Sequence, residues 1–251
     1  MMLSSLAVVL GVGCAQQAAR NTPAECAAHA DKMVRALDQS RLLHWQQTLD
    51  LGNAVQVNYS VKSRPDSVSL TYYGPATTRW YWYSSRLYRY DREGAPDGKM
   101  VLSTKAQAES VAHQLIAGLR LPFPVTLDSL SISKPERVAS GRWKPGYVVG
   151  VARPYRDGLP LFSAHGVKFR VDVRDGLLLS ASVRSDLPTQ YVGRQRFGRS
   201  QALASGGLGS VATLGYRVGR DNVGRLCWRV KMASGSIKYL DASTGRVFEE
   251  Q

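Results

Sequence analysis

The run "TRWYWYSS" at residues 78–85 decides how this chain is read. Successive side chains of a strand leave opposite faces, so Trp80 and Trp82 share one face and Tyr81 and Tyr83 the other. One face is expected to be core. The second is open to two readings. It lines a lipid or glycan groove, or it is a wet or helix-covered tyrosine face of a two-sided sheet. Trp80, Tyr81, Trp82, Tyr83 and the nearby Tyr88 are therefore the candidate ligand-binding residues.

The same period of two extends on both sides. "AVQVNYSVKS" (54–63), "SVSLTYYG" (67–74) and "RLYRYD" (86–91) alternate apolar or aromatic with polar residues. Arg64-Pro65-Asp66, Gly74-Pro75 and Ser84-Ser85 are turn chemistry between them. The pattern predicts an antiparallel meander from Gln46 to Tyr90.

Helical patterns flank the meander. In residues 22–43, Thr22 caps, Pro23 suits the first turn and Glu25 stands three after the cap. Cys26, Ala30, Met33, Val34, Leu37 and Leu42 form its apolar face. "STKAQAESVAHQLIAGLRL" (103–121) gathers Ala108, Val111, Leu115 and Leu119 on one face, and Pro122 and Pro124 end it.

Residues 131–146 are polar, with Pro135, Gly141 and Pro145, and are expected to be a linker. Strand patterns return in "GYVVGVARPY", "HGVKFRVDV" and "LLLSASVR", with Asp157-Gly158 and Asp175-Gly176 as hairpin signals. A short weak helix lies in 198–211, followed by "RLCWRVKM" and "SIKYLDA". The stretches 168–183 and 227–250 resemble each other as strand, Gly turn, strand. Phe169-Arg170-Val171 matches Trp228-Arg229-Val230, which suggests a duplicated hairpin.

The closing stretch "KYLDASTGRVFEE" (238–250) raises the question of chemistry against turn. Asp241, Ser243 and Thr244 read as a turn that lets Gly245 reverse the chain at positive φ. Replacing Gly245 by valine is then expected to cost stability, and Ser243→Ala to cost little.

The chain has 251 residues, enough for one large domain or two small ones. Lys and Arg total 33 against 19 Asp and Glu, a net charge of +14. That balance favours anionic partners such as an envelope surface, although a generally basic solvated surface is the preferred explanation. No nucleic-acid motif and no basic reading helix is found. Residues 1–20 carry a short apolar core from Leu6 to Val12, then Gly13, Cys14 and Ala15, as in a secretory signal. It is too short to span a bilayer. Cys14 after Gly13 resembles a bacterial lipobox and is the candidate lipidation site. Export to the periplasm, anchoring by lipidation, or secretion follows as the expected localisation. Cys26 and Cys227 pair in an oxidising compartment, or Cys227 is a small core hydrophobe; the second is preferred.

Catalytic residues are not found. His29, His44, His113 and His165 lie on separate elements, and Ser163 beside His165 lacks a nucleophile elbow. Asp157, Asp175 and Asp241 sit beside turn residues, where the side chain bonds local amides. No metal-ligand spacing and no cofactor motif is present.

Two resemblances carry the reading further. Ala202, Trp228-Arg229-Val230 and Tyr239-Leu240-Asp241-Ala242-Ser243-Thr244-Gly245-Arg246-Val247 resemble the PepSY family. The upstream "YRDGLPLFSAHGVKFRVDVRDGLLLSAS" is similar to the strand before such units in thermolysin-type propeptides. Residues 27–130 resemble the lipoprotein-carrier (LolA-like) superfamily in the 25–43 helix, "KSRPDSVSL" and "WYWYSSRLYRYD". The resemblances imply an α+β protein: a curved antiparallel half-barrel with packed helices over 22–130, a linker, and a smaller PepSY or cystatin-like α+β unit over 147–251. They imply a bacterial, non-enzymatic envelope protein that holds a lipid or lipoprotein acyl chain. The alternative they imply is a peptide- or secreted-protease-binding inhibitor or chaperone.

Overall fold

The computed structural model describes residues 21–37, 43–62, 66–74, 77–95, 100–162 and 166–248. The signal-like stretch with Cys14, and Ser163 with His165, lie outside them.

The class is α+β, with a large, mostly antiparallel sheet and, among the described residues, four helices. The first unit is α1 (Pro23–Leu37) followed by β1 (Leu43–Asp50), β2 (Val55–Val61), β3 (Ser67–Tyr72) and β4 (Arg79–Ser84), paired in sequence order as an antiparallel meander. A reciprocal capping box starts α1. Thr22 Oγ1 accepts from the Glu25 amide at 3.2 Å, and Glu25 Oε2 accepts from the Thr22 amide at 2.9 Å. Leu43 already belongs to β1, so the helix is shorter than its sequence pattern predicts.

"RLYRYD" is helical, not a strand. It forms α2 (Ser85–Glu93), whose N-cap Ser84 accepts from the Arg86 amide. Alternation placed Leu87 apart from Tyr88 and Tyr90. A helix instead brings Leu87 and Tyr90 to one buried face, three residues apart, and leaves Tyr88 about half exposed.

The second unit repeats the plan. Helix α3 (Lys105–Gly118), with Thr104 and Gln107 forming its capping box, leads to β5 (Val125–Ile132). A two-stranded excursion follows, β6 (Glu136–Arg137) and β7 (Trp143–Lys144). Then come β8 (Tyr147–Arg156), β9 (Leu159–Phe162), β10 (Gly166–Asp172) and β11 (Leu178–Arg184). β5, β8, β10 and β11 are again an antiparallel meander. The two units meet through their last strands, β4 against β11, giving the order β1-β2-β3-β4-β11-β10-β8-β5.

The sheet therefore runs on across 131–146. That segment leaves and rejoins the sheet between two paired strands, β5 and β8, which explains why its prolines and polar residues look like a linker. The division falls later, after β11. There β12 (Gln190–Val192), α4 (Arg199–Gly206), β13 (Val211–Val218), β14 (Val223–Lys231) and β15 (Ile237–Asp241) build a third, smaller unit. The β8–β9 hairpin joins it to the large sheet, because β9 pairs parallel with β13. Gly215 on β13 permits this approach, since a Cβ there would lie 2.4 Å from the Pro160 carbonyl.

Two cores match this division. In the first, Cys26, Ala30 and Met33 of α1 and Ala108, Ala112 and Leu115 of α3 pack on Val57, Leu70, Trp80, Trp82, Val148 and Phe169. Burying each large apolar side chain contributes about 1.5–3 kcal/mol. The second core holds Ala202, Trp228, Val230 and Leu240. The paired stretches 168–183 and 227–241 are both hairpins, β10–β11 and β14–β15, with Val171 and Val230 fully buried. β10 is the third main strand after its helix and β14 the second, so the likeness is between hairpins and not between whole units.

Candidate functional site

Helices α1 and α3 cover one face of the eight-stranded sheet, and the other face is largely open. Trp80 and Trp82 point to the helix side and are 2% and 4% exposed, while Tyr81 and Tyr83 point to the open side at 49% and 39%. The indole of Trp82 donates to the Leu178 carbonyl at 3.2 Å, so its one polar atom is satisfied inside the core. The two tryptophans are thus separated from the two tyrosines by the thickness of the sheet. Tyr88 stands on α2 with the Arg92 guanidinium 4.7 Å from its ring centre.

The open face carries a depression of about 340 Å³ across β4, β11, β10 and β8. Cross-strand register assembles it. Tyr81 faces Ser182 and Tyr83 faces Ser180 across β4–β11. Ser182 pairs with Lys168 and Ser180 with Arg170 across β11–β10. Lys168 pairs in turn with Val151 and Arg170 with Val149 across β10–β8. The paired last strands differ in bulk, tyrosine on β4 and serine on β11. The serines become a floor, the tyrosines one wall, and the cations and valines the other.

Helix α2 closes one end of this face. Leu87 and Tyr90 pack on Leu179, which the irregular β10–β11 register turns away from the helix-side core, and on Tyr147. Beneath α2 lies a buried ionic network. Arg86 reaches Asp66, Asp172 and Asp175; Arg89 pairs with Asp66; Arg174 pairs with Asp172 at 2.6 Å. Tyr90 Oη donates to Asp172 at 2.9 Å. Burial pushes the Asp172 carboxyl up, but the bonds from Arg174 and Tyr90 outweigh it and hold it below the ordinary range. The network fastens α2 to the sheet.

Charge on the open face is unevenly spent. Arg79 and Arg184 share Asp186, and Arg153 holds Asp128 at 2.8 Å. Lys168 and Arg170 are exposed, and among the described residues neither pairs with a carboxylate. Arg170 stands 5.9 Å from the Tyr147 ring centre. Burial raises the Tyr147 hydroxyl to about 12.

A larger hollow of about 630 Å³ lies on the third unit, around Arg217, Arg220 and Arg225. Two of its cations are engaged already. Arg225 is clasped by Asp221, and Arg217 stacks near Tyr239 and Phe248 at 5.0 and 5.6 Å.

The remaining polar candidates are structural in placement. His29 Nδ1 is 3.0 Å from the Tyr72 hydroxyl beneath the sheet, and burial lowers its pKa. His44 lies on β1 and His113 on α3. Asp175 and Asp241 bond backbone amides of their own turns, and Asp157 adopts φ 52 in the β8–β9 turn beside Gly158 at 76. Cys26 and Cys227 are both free and buried, in different units. No group of three His, Cys, Asp or Glu residues suited to a metal ion occurs among the described residues. No helix among them is long and apolar enough to cross a membrane.

Sequence reasoning found the two tyrosines and missed the other walls. The alternation in "HGVKFRVDV" does put Lys168 and Arg170 on one face. The pairing of β4 with β11, about 100 positions apart, is what no local pattern announces.

The fold is shared with solved proteins. The Bacillus megaterium YpeB C-terminal domain matches with a TM-score of 0.58 at 12% identity, over 89% of this chain and 95% of that one. An uncharacterized protein from Eubacterium rectale matches with a TM-score of 0.53 at 11% identity, over 90% of this chain and 82% of that one. At these identities the likeness is one of fold. No protein-family model and no curated protein sequence matches the chain.

Proposed function

We propose that this chain is a non-enzymatic binding module of the cell envelope that receives an extended peptide on the open face of its eight-stranded sheet. The observation that carries the proposal is the Tyr81–Tyr83 trough, a concave strip with an aromatic wall and a basic wall on an otherwise closed core. Peptide recognition fits the PepSY-type resemblance of the last hairpins. The likeness to the YpeB domain spans both halves of the chain, which favours one fold over a carrier domain joined to a separate unit.

An acyl-chain carrier needs a hollow between helices and sheet. Here Val57, Leu70 and Val148 on the sheet and Ala30, Ala108 and Ala112 on the helices are fully buried against one another. That packing supports a ligand on the opposite face. The proposal assigns the module to the envelope on the export expected from residues 1–20, and the +14 charge suits an anionic envelope surface.

Selection from a random peptide library tests it. Peptides recovered by the native protein are expected to lose binding to the Tyr81→Ser/Tyr83→Ser double variant, with an unchanged melting temperature. Recovery of no peptide, together with a lipid that co-purifies from membrane extract in native mass spectrometry, overturns the proposal.

A further inference from the structure

The trough carries more than a generic invitation to peptides. Its rows share one repeat: Tyr81 and Tyr83, Ser180 and Ser182, Lys168 and Arg170 each stand two residues apart on one strand face. Residues two apart along a strand are separated by about 7 Å, the same step as alternate side chains of any extended peptide. A chain lying along the serine floor sends alternate side chains to the two walls. One set meets the tyrosine rings and the next set meets two cations with no carboxylate of their own.

On this basis, and resting on the peptide-binding reading above, we infer that the ligand is an extended segment alternating acidic with aromatic or aliphatic residues over at least four positions. Charge complementarity selects it. Of the cations around the trough, Arg79 and Arg184 share Asp186 and Arg153 pairs with Asp128, whereas Lys168 and Arg170 pair with no carboxylate among the described residues. A carboxylate meeting an unpaired Lys or Arg forms a charge-assisted bond, stronger than a neutral one. The serine floor leaves room for backbone close to the sheet, and both serine hydroxyls can bond the peptide's amides or carbonyls.

Labelled peptides of one composition and different order test the inference by fluorescence anisotropy. Glu-Phe-Glu-Phe-Glu-Phe is expected to bind more tightly than the block order Glu-Glu-Glu-Phe-Phe-Phe and than Lys-Phe-Lys-Phe-Lys-Phe. Its affinity should fall as salt rises from 50 to about 300 mM, because exposed charges are screened. Lys168→Glu/Arg170→Glu should weaken the alternating acidic peptide by roughly tenfold or more and improve the lysine peptide, a reversal that misfolding cannot produce. Equal binding of all three peptides, still sensitive to Tyr81→Ser/Tyr83→Ser, overturns the acidic register and leaves the peptide reading standing. Binding of none of the three overturns the inference, while the peptide reading itself stands or falls with the library selection. Short-chain polyphosphate that binds as tightly as the acidic peptide, with the same loss on charge reversal, overturns the peptide as ligand in favour of a general polyanion.

Discussion

The ring of Phe169 lies over Gly150. The two are cross-strand partners on β10 and β8, and a Cβ at position 150 would fall 2.1 Å from Phe169 Cζ. Glycine weakens a strand, and here the aromatic ring fills the gap that the missing side chain leaves. Phe169 is 2% exposed, so the ring has little freedom to retreat. Gly150→Ala should therefore cost about 1–3 kcal/mol through overpacking. Chemical denaturation measures it, and Gly150→Ala/Phe169→Leu should recover part of the loss. An alanine variant as stable as the native protein would rule out this packing.

The pairing of Gly150 with Phe169 also shows where local sequence stops informing. "GYVVGVARPY" and "HGVKFRVDV" each read as strands, and both are. The helix cap at Thr22 was legible because capping is written within four residues, and the Thr104–Gln107 box is written in the sequence just as locally. "RLYRYD" misled because Leu87 and Tyr90 satisfy a helix face while the intervening residues mimic alternation. β13 escaped notice because Gly215 breaks its apolar pattern, and that glycine is needed only when β9 comes close. The trough was half legible. Tyr81 and Tyr83 declare an exposed row, but its basic wall depends on β4 meeting β11, a tertiary fact.

The buried network under α2 makes stability depend on acid. Asp172 is fully buried and its carboxyl is held below the ordinary range by Arg174 and Tyr90 against the penalty of burial. Asp186 is likewise lowered, by Arg79 and Arg184 against burial. A carboxylate depressed in the folded state contributes stability above its unfolded value, near about 4, and loses it as pH falls through the folded value. The urea midpoint should be flat from about pH 5 to 7 and fall below about pH 4. Asp172→Asn should cost about 3–5 kcal/mol at pH 7, since it takes the buried carboxylate from Arg174 and one of three from Arg86, and it should flatten the acid limb. An unchanged acid limb in that variant would locate the pH sensitivity elsewhere.

The thiols of Cys26 and Cys227 should be silent in the native protein. Burial pushes Cys26 up to about 11 and Cys227 up to about 12, so almost no thiolate is present at pH 8. Cys26 lies in the core under α1 and Cys227 on β14 of the third unit, and both are free. In protein carrying Cys14→Ser, Ellman's reagent should find fewer than about 0.2 reactive thiols per chain under native conditions and about two in denaturant. Denatured, unreduced protein that yields none would mean the two cysteines had paired.

The closing turn gives the last prediction. Asp241 Oδ1 accepts from the amides of Ser243 at 2.9 Å and Thr244 at 2.8 Å, and from Thr244 Oγ1 at 3.1 Å. Gly245 follows with φ 74, and a Cβ there would meet the Phe197 ring at 2.5 Å. Gly245→Val combines a left-handed β-branched residue with that clash, and should lose at least about 1–3 kcal/mol. Ser243 is less idle than its sequence position implies. Its hydroxyl donates to the Arg194 carbonyl at 2.7 Å and accepts from the Arg194 amide at 3.3 Å, tying the turn to a loop 49 positions away. Ser243→Ala should then cost about 1 kcal/mol, and the loss should appear as faster amide exchange around Arg194. Native exchange rates at 194–197 in the alanine variant would reduce Ser243 to a plain turn residue.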